Sequence, residues 1–178
     1  LKKVYLTLQE GRSARNVALR DEETSFLKNL GLLTYKPIIY AMNLSEEDLS
    51  QGNSHSFKVE ELASSENTQS VKVSAQVESE LIDLGETERL DYLNSLGVKE
   101  GGLQSLIKAS YHLLGLRTYF TTGEKESRAW TIKVGMTAPQ AAGVIHTDFE
   151  RGFIRAQTIN YKKLVEAGSL VQAKNKGW

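Results

Sequence analysis

The sequence has no cysteine. That absence excludes a disulfide framework and a thiolate metal site, and it suits a reducing compartment. There is no net charge: 22 Lys/Arg balance 22 Asp/Glu over 178 residues. Such a balance excludes a uniformly basic nucleic-acid binder and an acidic solvating tail. No uncharged apolar run approaches the roughly 18 residues that a membrane-spanning helix needs. The opening LKKVYLTLQEGRSAR lacks an apolar signal core, so secretion is not indicated. No phosphate loop of the form G-x-x-x-x-G-K-S/T occurs. The three histidines, His55, His112 and His146, lack metal-like spacing. His112 reads as a packed or half-exposed helix residue and His146 as part of a helix-end turn. What is present is ordinary for a globular chain, 40% hydrophobic and 25% charged residues. The length gives room for one medium domain or two small ones.

The zero net charge hides a split. Residues 1–116 carry 12 Lys/Arg against 17 Asp/Glu, and residues 117–178 carry 10 against 5. Two modules with different partners explain it, as does chance fluctuation of small counts.

Leu1, Val4 and Leu8 share one face of a short helix that stops by Gly11, and 12–20 reads as a connector. Asp21 is the expected N-cap of the next helix, with Phe26, Leu27 and Leu30 as its apolar face and Gly31 as its left-handed C-terminal residue. Lys36 to Asn43 is a short apolar run with Pro37 at its start, the pattern of a parallel strand buried on both faces. Residues 44–56 read as a polar loop, Val59 to Ala63 as a short helix and Val71 to Ala75 as a second strand. Helices follow at 77–84, from Thr87 to Gly97, and after Gly102. Strand, helix, strand, helix is the order of a doubly wound α/β sheet, of which two strands would be the C-terminal portion. After Gly115 the texture changes. Strands are expected at Leu116–Thr121 and Ala129–Val134 around a turn at Thr122-Gly123-Glu124-Lys125, with Trp130 in the core. A helix with Pro139 in its first turn, a third strand at Phe153–Ile159 and a helical turn closed by Gly168 complete a small α+β domain of the β-grasp type.

In open parallel sheets ligands bind beyond the carboxyl ends of the strands. Asn43-Leu44-Ser45-Glu46 and Ser74-Ala75-Gln76 should therefore be neighbours on the functional rim. An Asn amide offers a donor and an acceptor in one plane, which suits the N6 and N7 edge of adenine. The alternative is structural: Asn43 closes the strand end and Ser74 caps the next helix.

Lys36 to Glu46, KPIIYAMNLSE, resembles the base-specificity segment of the YchF/Obg-like ATPases, a branch of the P-loop GTPase class. Guanine-specific relatives carry Asn-Lys-x-Asp there. The branch carries Asn-x-x-Glu, matched by Asn43 and Glu46, and the loss of the Asp is what its ATP preference is attributed to. Val73-Ser74-Ala75-Gln76 resembles the following Ser-Ala-Lys segment, with Gln76 in place of Lys. Leu114 to Gly123, Arg128 to Ile132 and Thr137 to Ala156 resemble the entry and body of the family's TGS domain.

The resemblance covers essentially the whole chain. It implies the end of a helical arm at 1–33, the C-terminal part of a nucleotide-binding domain at 34–114 and a truncated TGS domain at 115–178. It implies base contacts from Asn43, Leu44, Glu46, Ser74, Ala75 and Gln76, with ATP and Mg²⁺ as the family's ligands. Neither the phosphate loop nor a Mg²⁺-binding Asp-x-x-Gly segment can be assigned, so no catalytic or metal residue is named, no tightly bound cofactor is expected, and the chain alone should be inactive. The basic residues Arg117, Arg128, Lys133, Arg151, Arg155, Lys162 and Lys163 face either RNA phosphates or only solvent; TGS domains point to RNA and the ribosome. A cytoplasmic monomer without a membrane partner is implied, with an organelle stroma left open. The competing reading is a non-catalytic RNA- or ribosome-binding module.

Overall fold

Apolar residues three and four apart build the first helices of the chain, α1 (Lys2–Gln9) and α2 (Asp21–Asn29). The computed structural model describes residues 1–123 and 125–178. Its backbone falls into two units, Leu1–Leu113 and Leu114–Trp178. In the first, Val4, Ala14 and Leu27 are buried together, with Val17, Leu19, Leu32 and Tyr35 packed around them. The N-cap of α2 is Arg20 rather than Asp21. The Glu23 carboxylate reaches back to accept the Arg20 backbone N–H at 2.9 Å, so the acidic first turn itself satisfies the free end of the helix. That bond, foremost, holds the Glu23 carboxyl below its ordinary pKa. Gly31 follows with φ +62°, the left-handed exit its position in the sequence predicts.

The apolar run after Pro37 forms β1 (Ile39–Asn43). Helix α3 (Ser54–Ser65) carries the chain back to β2 (Gln69–Val73), which pairs parallel with β1 so that Asn43 lies opposite Val73. Asn53 starts α3: its Oδ1 accepts the N–H groups of His55 and Ser56, each at 3.0 Å. The polar stretch expected to be loop through residue 56 is thus already helical at Ser54. Only Met42 of β1 is buried. The strand is not enclosed on both faces: Ile39 and Tyr40 are half-buried, and Ala41 and Asn43 are exposed. Three helices follow: α4 (Ala75–Leu81), α5 (Glu86–Ser95) and α6 (Gly102–Leu113). Val77, Leu81 and Leu93 of α4 and α5 bury themselves with Leu49 from the loop after β1.

Helix α6 starts against the sheet backbone. A Cβ on Gly102 would lie 2.7 Å from Val73 Cα and 3.0 Å from the Lys72 carbonyl oxygen. Backbone cannot swing aside as a side chain can, so Gly102→Ala should destabilise this unit by about 1–3 kcal/mol. A Cβ on neighbouring Gly101 would meet the carboxylate tip of Glu78, which can move. Urea unfolding of the two variants should therefore separate them, and equal midpoints would contradict the close approach.

The second unit opens with an antiparallel hairpin, β3 (Leu116–Thr122) and β4 (Ser127–Lys133), in which Tyr119 lies opposite Trp130. Glu124, within the expected turn, lies outside the described residues. Four short helices follow, α7 (Ala138–Gly143), α8 (Thr147–Arg151), α9 (Tyr161–Ala167) and α10 (Leu170–Asn175). The third strand expected at Phe153–Ile159 is not formed. A strand needs a ladder partner, and among the described residues no backbone hydrogen bond engages that segment. Trp130 is half-buried rather than core. Its Nε1–H is donated to Thr121 Oγ1 at 2.9 Å, and the Arg128 guanidinium lies over the ring. The chain is an α/β protein.

Candidate functional site

Parallel pairing in register brings the carboxyl ends of β1 and β2 to one level. One more ladder bond, Leu44 N–H to the Val73 carbonyl at 2.8 Å, carries the pairing past the strand ends. Beyond it the Asn43 Oδ1 accepts the Ala75 backbone N–H at 3.0 Å. This bond joins the two rim segments directly. Ser74 is buried and its Oγ accepts the Val77 N–H at 3.5 Å, capping α4. Both structural roles weighed from the sequence, a strand-end tie by Asn43 and a cap by Ser74, are present in the geometry. They leave part of the Asn43 amide free. A carbonyl oxygen has two lone pairs, so Asn43 Oδ1 can accept once more. Its Nδ2 has no partner among the described residues, and the residue is exposed.

The loop after β1 is braced rather than loose. Leu49 is buried against α4 and α5. Asp48 accepts from Ser45 Oγ at 3.0 Å and from Asn53 Nδ2 at 2.7 Å. Glu46 sits half-buried between these anchors, and Leu44 is half-buried too. Ala75 and Gln76 are exposed, and Gln76 Nε2 donates to Glu80 Oε1 at 3.2 Å along α4. Gln76 is thus turned along its own helix.

Glu80 also accepts from the Tyr92 hydroxyl of α5. That bond, with the one from Gln76, holds the Glu80 carboxyl below its ordinary value. The same bond, then partial burial, then the charges of Glu46 and Glu80, push Tyr92 up to about 12. The signs agree. A lowered carboxyl contributes stability above its ordinary pKa and loses it as pH falls; a raised phenol contributes below 10 and loses it as pH rises through about 12. The pair therefore persists across the neutral range. Alkaline difference absorbance against Tyr92→Phe should show this phenol ionising after an ordinary tyrosine, and Glu80→Gln should bring it down. An unchanged titration in Glu80→Gln would contradict the pairing.

Sequence reasoning did not reach Tyr92, Glu80, Asp48 or Asn53. The Asn53 cap had a signal, an Asn immediately before a helical stretch. Tyr92 and Glu80 had none, because the contact joins two helices through the fold.

The free part of the Asn43 amide offers a donor and an acceptor in one plane. An exposed Asn amide beside a strand-end turn suits a purine edge. Among the described residues no three His, Asp or Glu side chains are grouped so as to hold a metal ion. The described residues include no helix long and apolar enough to cross a membrane.

In the second unit all seven basic candidates are exposed, and none is ion-paired among the described residues. The fold separates them. The register puts Arg117 and Arg128 on the hairpin face that carries Tyr119 and Trp130, while Lys133 lies on the opposite face. Arg151 ends α8, Arg155 lies in the segment after it, and Lys162 and Lys163 begin α9. His146 caps α8, its Nδ1 accepting the Asp148 N–H at 3.2 Å. His112 is exposed, with Nδ1 3.3 Å from Gln69 Nε2.

Comparison with known proteins gives consistent matches. A family model named YchF-GTPase_C, described as a protein of unknown function (DUF933), matches residues 116–178. The chain is 47% identical over 179 residues to the Ribosome-binding ATPase YchF of Bacillus subtilis, covering 99% of this chain and 49% of that protein. With the Ribosome-binding ATPase YchF of Haemophilus influenzae it is 42% identical over 177 residues, covering 99% and 48%. The solved structure of the Schizosaccharomyces pombe YchF GTPase superposes with a TM-score of 0.82 at 36% identity, covering 99% of this chain and 47% of that one. The chain spans about half the length of the relatives it matches.

Proposed function

Because the chain belongs to the YchF family, we propose that it supplies the base-recognition end of an ATP site and, in its second unit, a TGS domain that contacts RNA on the ribosome. The observation that carries the first part is the Asn43 side chain. It ties the two strand-end segments together through Ala75 N–H and leaves its Nδ2 and a second lone pair exposed. Adenine presents the complementary donor and acceptor, N6–H₂ and N7. Leu44, Glu46, Ser74, Ala75 and Gln76 frame this position from the two rim segments. Glu46 stands where guanine-selective relatives carry Asp, so the acceptor that would select guanine is altered.

Phosphate and Mg²⁺ contacts belong, in this reading, to residues outside this chain. ATP hydrolysis depends on positioning and charge neutralisation by those parts; this chain contributes orientation of the base and no chemical step. The relatives' names bear on the second part. Two are called ribosome-binding ATPases and one a GTPase, so ribosome contact is the expected partner interaction, in the cytoplasm, and base choice is the discriminating property.

In the full-length protein, ATP should bind about ten-fold or more tighter than GTP, the scale of one well-made base contact. Glu46→Asp should recover part of the GTP affinity. Calorimetric titration with both nucleotides decides it, and equal or tighter GTP binding by the wild type would refute the reading.

A further inference from the structure

We propose that Arg128, whose guanidinium lies over Trp130, is the principal RNA-phosphate contact of the second unit, the other exposed cations acting only as a diffuse field. The proposal rests on the RNA reading above and narrows it to one built element. Arg128, Trp130 and Thr121 share one face of the β3–β4 hairpin, with Thr121 directly opposite Arg128. The indole is pinned by its Nε1–H bond to Thr121 Oγ1 at 2.9 Å. On that fixed ring the Arg128 guanidinium carbon sits 4.3 Å from the centroid. A guanidinium held over a ring keeps N–H groups of its planar fork for a bidentate phosphate. Among the described residues no carboxylate lies within ion-pairing distance of Arg128.

Order before binding is what separates Arg128 from its neighbours. A long cation held in place gives up less freedom on contact than one that must first be ordered. Arg117 lies on the same face without a comparable ring contact among the described residues. Lys163 and Lys176 do lie over a ring, Trp178, at 5.4 and 4.6 Å. A lysine is a point charge, however, and lacks the planar fork that phosphate geometry matches. RNA is the favoured partner because the unit has 10 Lys/Arg against 5 Asp/Glu from residue 117 onward, and a repeating phosphate chain can use the surrounding field as well as the fork.

The test uses the full-length protein and a fluorescein-labelled single-stranded RNA of about 20 nucleotides, titrated at several salt concentrations. Arg128→Ala should weaken binding about ten-fold and lower the salt slope by roughly one unit. Arg128→Lys should keep the slope yet lose several-fold in affinity, because the charge stays and the fork goes. Trp130→Phe retains a ring but loses the bond to Thr121 and should fall between wild type and Arg128→Ala, whereas Trp130→Leu should approach Arg128→Ala. Unfolding midpoints of all four variants separate misfolding from lost contact, and Trp130→Phe keeps the test meaningful if Trp130→Leu fails to fold. Wild type that does not bind RNA overturns the RNA reading and this proposal with it. Wild type that binds while Arg128→Ala binds equally overturns this proposal alone, as does equal affinity of folded Trp130→Phe and Trp130→Leu. Salt-sensitive binding to polyglutamate that exceeds binding to RNA assigns the face to an acidic protein instead, and overturns it too.

Discussion

Asn43→Ala is expected to cut ATP affinity of the full-length protein by about 10- to 100-fold, the scale of one bidentate base contact. The substitution removes two things at once, the proposed adenine pair and the bond to Ala75 N–H. The second loss is small for folding, since the residue is exposed and water can replace the acceptor. Global stability should therefore barely move while affinity falls. Asn43→Asp separates the two roles further. It keeps an oxygen for Ala75 N–H but replaces the amide donor with a carboxylate. If Asn43 only braces the rim, Asn43→Asp should bind ATP as wild type does. If it reads adenine, Asn43→Asp should lose affinity as Asn43→Ala does.

Leu93→Ala should cost about 2–5 kcal/mol, the range for deleting most of a buried leucine. Leu93 is 4% exposed and packs with Leu49, Val77 and Leu81. The cavity would open under the loop that carries Glu46, because Leu49 is that loop's anchor. Urea denaturation monitored by circular dichroism should show a lowered midpoint for the first unit. Nucleotide selectivity should weaken in parallel, since Glu46 would lose its fixed setting. A stability loss under 1 kcal/mol would mean the cluster is not the core that holds the rim.

Much of the first unit was legible because its signals are local. Gly31 and Gly97 each stand where a helix gives way to a left-handed residue, and both have positive φ. The apolar run after Pro37 and the Val71 to Val73 stretch became paired strands because β-branched and apolar residues suit a pleated ladder. The errors share a different cause. Phe153–Ile159 reads as a strand, but a local reading does not supply a partner, and among the described residues none is bonded to it. Trp130 alternates like a core residue, yet its indole is half-exposed beneath Arg128. Asp21 looks like a cap, but Glu23 can reach back to Arg20 N–H from inside the helix. At the candidate site, strand ends mark where Asn43 and Ser74 lie. The Asn43–Ala75 bond, the Leu49 anchor and the Tyr92–Glu80 pair all join residues far apart in sequence, and no local pattern encodes them.

The most direct test of the central claim is a two-by-two comparison of binding constants in the full-length protein. Wild type and Asn43→Ala are each titrated with ATP and with purine riboside triphosphate, which lacks only the N6 amine. If Asn43 Oδ1 accepts from N6–H₂, the mutation should cost ATP clearly more than the amine-less analogue, by about five-fold or greater, on the scale of one hydrogen bond. Equal losses for the two nucleotides would contradict adenine recognition by Asn43 and leave it as a strand-end tie.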